Sequence, residues 1–426
     1  MADPLDRATA TETTASTTWG GGTDDTSVRW PAVEVLPCEL HTPAADADGG
    51  PSGSSLSPAV ITRPWAGSPR PRPVTVLSQR IARLPPGCFG MVMATGIVSI
   101  ATQEELPGLL SAALATIASA AWIVLLILGG ARMVRATRSV GDALKSPATG
   151  PDCFAFVAAA GVLGVRAVIA GWDAIGLALW AVAALAWLAL VVAMPVAMRA
   201  RSHTARSHTP AWWAASGNWL LAVVATQSLA ILASGLAGAG CPRPLLLVAL
   251  GCWVLGLALY AALIAAIGVR VLSRQPAPAR FTPDDWIIMG ALAISALAAT
   301  GLLRAEPASQ LPHPQLPYTL VAHVGAVTWA LASVAVAPLA VLQVRRLLRE
   351  RAARRYQARW WAGVFPLGMY SVTTHQLAAT LGWHPLKPVA RAVFWLALAA
   401  WSVTAAAAIG SPLRPHRPPF GRRQSA

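Results

Sequence analysis

Charged residues are scarce in this chain. Asp, Glu, Lys and Arg make up 12% of 426 residues, against 55% hydrophobic, and the mean hydropathy is +0.54. A water-soluble fold cannot bury that much apolar surface, so this scarcity excludes a soluble globular domain and calls for a lipid bilayer as solvent. Cysteine is scarce too. The five present (Cys38, Cys88, Cys153, Cys241 and Cys252) are scattered and lack C-x-x-C spacing, which supports neither a disulfide framework nor a zinc site. Catalytic signatures are missing: there is no Ser-His-Asp set, metal-ligand cluster, P-loop or dinucleotide fingerprint. No enzyme, no cofactor, no metal and no ATP-driven pump is expected. The net charge of +15 does not point to nucleic acid, because Arg and Lys fall in short segments between apolar runs and form no separate basic domain.

What is present is a series of apolar runs behind a polar tail. Residues 1–78 are rich in Ala, Thr, Ser, Asp, Gly and Pro and hold half of the 18 acidic residues. They are expected to form a disordered cytoplasmic tail. Residues 79–411 read as a transport domain of ten spans, each near the ~20 residues that cross a ~30 Å hydrocarbon core. The spans run roughly over 85–103, 107–134, 152–171, 174–198, 212–235, 244–268, 283–303, 317–344, 360–382 and 389–410. Residues 412–426 form a short basic cytoplasmic tail. Arg and Lys crowd the segments before span one and after spans two, four, six, eight and ten, as in Arg345, Arg346, Arg349, Arg351, Arg354, Arg355 and Arg359. Opposite connections offer only Arg243, Arg304, Lys387 and Arg391. By the positive-inside rule both termini lie in the cytoplasm.

Odd and even spans differ in kind. Spans two, four, six and ten are nearly all Ala, Leu, Val, Ile and Trp and suit a lipid-facing layer. The odd spans carry small and polar residues: Thr95, Gly96 and Ser99; Gly161, Gly164 and Arg166; Asn218, Thr226 and Gln227; Ser295. They read as an inner layer whose polar side chains line a pore or join helices by hydrogen bonds. Cys88-Phe89, Cys153-Phe154 and Trp360-Trp361 are each followed seven residues on by a glycine (Gly96, Gly161, Gly368). That weak repeat suggests five helical hairpins around an axis. Arg166 reads as an attractor of anions, or as a side chain that reaches the interface or pairs with Asp173. His323 and His375 are candidate proton carriers, because an imidazole titrates near physiological pH, or hydrogen-bonded packing residues.

The most informative stretch is Arg359 to His375. Pro366 removes a backbone donor inside an apolar run and should kink the helix. Phe365 sits on that kink, and Gly368 should leave room beside its ring. Tyr370, Ser371, Thr373 and Thr374 are tolerated at membrane depth where a helix faces protein or water. Together with 89–99 (Phe-Gly-Met-Val-Met-Ala-Thr-Gly-Ile-Val-Ser) and 218–228 (Asn-Trp-Leu-Leu-Ala-Val-Val-Ala-Thr-Gln-Ser), the segment Trp-Trp-Ala-Gly-Val-Phe-Pro-Leu-Gly-Met-Tyr (360–370) resembles the tellurite-resistance/dicarboxylate transporter family. That family includes plant slow anion channels, yeast malate permease and fungal sulfite efflux pumps. The similarity covers about residues 84–410.

The resemblance implies an all-α protein of ten transmembrane helices, in five hairpins with an inner ring of odd helices and an outer ring of even ones. It implies a homotrimer in the plasma membrane whose protomers each hold a pore blocked by a phenylalanine, by motif Phe365. Thr95, Gly96, Ser99, Arg166, Asn218, Thr226, Gln227, Ser295, Tyr370 and Thr373 are candidates for lining it, with Pro366 and Gly368 shaping the helix. Expected partners are small inorganic or dicarboxylate anions and the bilayer. The alternatives are an anion channel, a proton-coupled carrier of C4-dicarboxylates or sulfite, and a membrane protein that transports nothing.

Overall fold

A computed structural model describes residues 86–135, 141, 144–146, 149–204, 217–241, 244–273, 281–308, 318–350 and 356–411. The expected tails, 1–78 and 412–426, lie outside the described residues, as does 351–355 of the basic segment. Ten long helices dominate what is described: α1 (Phe89–Glu105), α2 (Leu109–Arg135), α3 (Phe154–Ile169), α4 (Asp173–Thr204), α5 (Leu221–Gly238), α6 (Pro244–Leu272), α7 (Ile287–Ala308), α8 (Tyr318–Arg349), α9 (Trp361–Thr380) and α10 (Lys387–Gly410). Helix is the expected solution in lipid, where every backbone amide must find its partner within its own segment.

Consecutive helices pair as five hairpins, and the odd helices then close a ring in the order α1, α3, α5, α7, α9 and back to α1. Eight helices are by themselves long and apolar enough to cross a bilayer. The other two, α1 and α9, of 17 and 20 residues, both belong to the inner ring. Burial separates the layers: 83% and 89% of the most apolar windows of α5 and α7 are buried, against 11% for α2 and α4 and 17% for α6 and α10. The outer helices turn large apolar side chains outward, among them Leu185, Val192, Leu247 and Val334. The protein is thus a multi-pass all-α membrane protein with the two-layer architecture expected from alternating composition.

The five inner helices share one way of starting. Each is preceded by a 3₁₀ turn (Pro86–Cys88, Pro151–Cys153, Gly217–Leu220, Pro283–Trp286 and Ala358–Trp360), and these turns touch in a closed circle of their own. This end is called the base below, and the end where the odd helices finish, the mouth. At the base Asp285 accepts from the Thr282 backbone amide at 2.7 Å, which gives the α7 start the carboxylate that a helix amino terminus favours. Asn218 donates to Asp152 at 3.1 Å, and Arg359 faces Asp284 at 3.4 Å.

Glycine closes every seam of the ring. A Cβ at Gly96 of α1 would lie 2.7 Å from Val162 of α3; one at Gly161 of α3, 2.8 Å from Ser228 of α5; one at Gly301 of α7, 2.6 Å from Ser234 of α5. One at Gly290 of α7 would lie 3.0 Å from the Pro366 ring of α9, and one at Gly368 of α9, 2.9 Å from Ile97 of α1. Without hydrophobic attraction between helices in lipid, close backbone approach through small residues is the main source of association. Gly368 was expected to make room for Phe365; instead its space is taken by Ile97. The proline is accommodated in the same manner, with α9 running on through Pro366 and the ring packed on Gly290.

Candidate functional site: the axis of the inner ring

A cavity of about 460 Å³ lies on the mouth side of the ring and takes lining residues from all five inner helices. Its wall is mainly apolar, with Ile100 from α1, Val165 from α3, Ile231 from α5, Leu297 from α7 and Val372 from α9. Polar groups enter near the mouth: Gln103 and Glu104 at the end of α1, Arg304 near the end of α7 and Gln376 on α9. The last three are joined in a chain. Arg304 donates to Gln376 Oε1, and Gln376 Nε2 donates to Glu104 Oε1 at 2.8 Å.

What lies below the cavity follows from the helical phase of α9. Thr373 donates to the Ala293 carbonyl of α7 at 3.0 Å and Pro366 rests on Gly290, so these two mark the α7 side. Gly368 meets Ile97 and Trp361 approaches Gly90, so these mark the α1 side. Setting Phe365 at 0° with about 100° per residue, the α7 side falls near 80–100° and the α1 side near 300–320°. The axis lies between them. Val372 and Gln376, both on the cavity wall, fall at about 340° and 20°. Phe365 shares their direction and is 2% exposed.

The same two-turn step applied to each inner helix leads from the cavity wall to Met93, Ala158, Val224, Gly290 and Phe365, about 10 Å nearer the base. Met93, Ala158, Val224 and Phe365 are buried to 2% exposure or less and belong to one continuous apolar cluster. Below the cavity the axis is filled, and Phe365 is the largest side chain in that layer.

The other candidates are placed elsewhere. Thr95 accepts from Trp401 of α10 at 3.0 Å and Thr226 from Trp187 of α4 at 2.9 Å. Tyr370 is bonded to Ser333 of α8 at 2.6 Å and stacks on Trp329. Gln227 donates to Ser295 at 3.1 Å and to the Trp253 carbonyl at 3.2 Å, while the Trp253 indole donates to the Ser295 carbonyl. Thr373 is spent on the α7 seam, and Asn218 on the base. None of these lines the cavity; they hold helices together. Their distribution has a physical reason: an indole N–H at membrane depth needs an acceptor, and the outer helices bring a tryptophan against successive inner ones.

Arg166 turns to the flank rather than the axis. Its Nε donates to Ser99 at 3.2 Å, and Nη2 makes longer contacts of 3.4 and 3.5 Å with Ser111 and Gln103. Its neighbours Val165 and Val168 line the cavity instead. Gly96 forms the seam with Val162. His323 sits on the exposed face of α8, with Nδ1 against the Thr319 carbonyl at 2.5 Å. His375 is at the mouth, where Glu105 holds both its Nδ1 at 3.1 Å and Arg391 at 3.0 Å.

Glu104, Arg304 and Gln376 escaped the sequence reading. Arg304 counted only as a sparse charge of a connection, although an acid pair closing one apolar run and a lone arginine closing another are signals of an intramembrane ionic site.

A ring of five hairpins around an axial cavity defines a polytopic membrane protein built around a pathway rather than a surface site. Residues 83–409 match the model of the voltage-dependent anion channel family, and the chain belongs to that family. It is also similar to an uncharacterized membrane protein of Mycobacterium tuberculosis (strain H37Rv), 32% identical over 146 residues, which are 34% of this chain and 73% of the relative. An uncharacterized transporter of Methanocaldococcus jannaschii is 25% identical over 152 residues, 36% of this chain and 42% of the relative. Family membership supports anion transport as the general activity and agrees with the resemblance drawn from residues 89–99, 218–228 and 360–370.

Proposed function

We propose that the chain conducts small anions along the axis of its inner ring, and that Phe365 is the side chain that opens and closes the path. The observation that carries this reading is the direction of Phe365. It points to the axis in line with Val372 and Gln376, inside a layer where every other helix contributes a smaller group. A ring filling an otherwise uncharged constriction acts as a barrier to hydrated ions. Rotation of that one side chain changes the bore without repacking a helix.

The alternative is a proton-coupled carrier of C4-dicarboxylates or sulfite, favoured by the titratable groups at the mouth: Glu104 on the cavity wall, and His375 beside Glu105. Flux of malate or sulfite driven uphill by a pH gradient in proteoliposomes selects the carrier, and purely downhill flux selects the channel. We place both termini in the cytoplasm on the distribution of Arg and Lys, and place the protein in the plasma membrane as a homotrimer on the family resemblance.

The direct experiment is Phe365→Ala. If the ring fills a conduit, its removal leaves a wet space, and basal flux of chloride or nitrate should rise while expression and melting temperature stay near wild type. If the ring is core, the same cut leaves a dry void and costs roughly 3–5 kcal/mol. A destabilised protein with unchanged flux would therefore overturn the reading. Phe365→Leu should fall between, because a smaller apolar group still narrows and dries the path.

A further inference from the structure

We infer that the mouth of the axial cavity is an anion-binding subsite built on Arg304 and Gln376, with Glu104 as a built-in competitor for the Gln376 amide. The inference deepens the transport reading, since it concerns the same cavity, but it stands on separate groups and is tested by binding rather than by flux.

Three observations support it. The first is position: Glu104, Arg304 and Gln376 come from three different inner helices and all line the cavity, so an anion on the axis meets them before the apolar wall below. The second is the orientation of the Gln376 amide. Its oxygen takes the Arg304 N–H, and its nitrogen donates to Glu104. A flipped amide would set oxygen against carboxylate and N–H against guanidinium, so this arrangement alone satisfies all three groups. Gln376 therefore relays between a cation and a carboxylate.

The third is how charge is distributed around the pair. Glu105, the other carboxylate nearby, is taken by Arg391 and His375, and Arg166 is turned to Ser99 on the flank. Neither Glu105 nor Arg166 lines the cavity. Among the described lining residues the cavity holds one basic group, Arg304, and one acidic group, Glu104.

The chemistry of these donors selects the ligand class. A guanidinium presents a planar fork that takes a carboxylate or an oxoanion through two parallel bonds. Beside it Gln376 offers one further N–H, once Glu104 releases it. A carboxylate, nitrate or sulfite replacing Glu104 would meet donors only, with the apolar wall of Ile100, Leu297 and Val372 beneath it. At rest Glu104 takes the Gln376 N–H and Gln376 Oε1 takes an Arg304 N–H, which lowers the affinity for an external anion without removing the site.

The test uses purified full-length protein in detergent, with melting temperature followed against malate, nitrate and sulfite, since a ligand of the native state raises it with concentration. Glu104→Gln removes the acidic competitor from the Gln376 amide and should lower the half-saturating anion concentration about tenfold. Arg304→Gln should abolish the anion-dependent shift. Where Arg304→Gln fails to give folded protein, Arg304→Lys keeps the charge without the fork and should weaken malate several-fold more than it weakens chloride. Arg359→Gln, at the base and outside the cavity, should bind like wild type.

Equal affinity in wild type and Glu104→Gln, or an undiminished shift in Arg304→Gln, overturns the inference. So does an Arg304→Lys protein that binds malate and chloride as wild type does. The outcome is distinguishable from that at Phe365: a protein with no flux still shows the binding if the subsite exists, and Phe365→Ala should leave the half-saturating concentration unchanged.

Discussion

Tryptophan accounts for three of the buried hydroxyls of the inner helices. Trp187, Trp253, Trp329 and Trp401, one on each of α4, α6, α8 and α10, donate to Thr226, the Ser295 carbonyl, Thr374 and Thr95 at 2.9–3.0 Å. Each bond ties an outer helix to the inner helix that follows it or closes the circle. Interhelical bonds in a bilayer contribute about 0.6 kcal/mol on average, so Trp187→Phe should lower the melting temperature modestly and leave anion selectivity untouched. Trp122 of α2 is the informative exception. It stacks on Phe156 of α3, but its buried indole nitrogen has no hydrogen-bond partner among the described residues. Removing a donor that has no acceptor costs little. Trp122→Phe should therefore be neutral or stabilising by thermal unfolding, and a loss as large as that of Trp187→Phe would show that the indole is satisfied after all.

At the scale of the element, seams and starts decide how the inner helices are held. The tightest approach to another backbone is at the base, where a Cβ at Gly217 would lie 2.5 Å from the Asp284 carbonyl oxygen and 2.8 Å from the Asp285 Cα. Those are backbone atoms, which cannot step aside as a side chain can. Gly217→Ala must separate the starts of α5 and α7, at a cost at or above the roughly 1–3 kcal/mol of ordinary overpacking. Gly235 is the control. It lines the cavity and has nothing within 4 Å of its would-be Cβ, so Gly235→Ala should express and melt like wild type. Comparing the two by detergent size-exclusion and thermal unfolding separates a packing glycine from a merely permissive one. The Arg359–Asp284 pair at the same base is half exposed on its arginine side and contributes no more than about 1 kcal/mol.

At the scale of the whole molecule, five complete hairpins start and finish the ring of helices on the same side. We propose the cytoplasm as that side on the distribution of Arg and Lys. A reporter active only outside the cytoplasm should work when fused near Gly238 and fail near Ser207; activity at Ser207 would reverse the orientation. Residues 2–75, which precede the stretch matching the family, contain no apolar run able to contribute to the ring. Their removal should leave membrane insertion and flux intact, as read by membrane fractionation and liposome assay.

Composition alone determined that the protein lives in lipid, and alternation of composition determined that odd helices are inner and even helices outer. Both are properties of single segments, summed along each helix, and they survive without knowledge of neighbours. The seven-residue step from Trp361 to Gly368 was likewise legible as a repeat of the inner helices, although what fills the space at Gly368, Ile97, was not. The roles of Thr95, Thr226, Ser295, Tyr370 and Thr373 were beyond sequence. A hydroxyl on an inner helix has the same identity whether it faces the axis or an indole behind it, and only the rotation of the helix in the ring selects between them. Glu104, Gln376 and Arg304 became one group for the same reason. They are far apart in the chain and adjacent only because α1, α7 and α9 end at the same mouth.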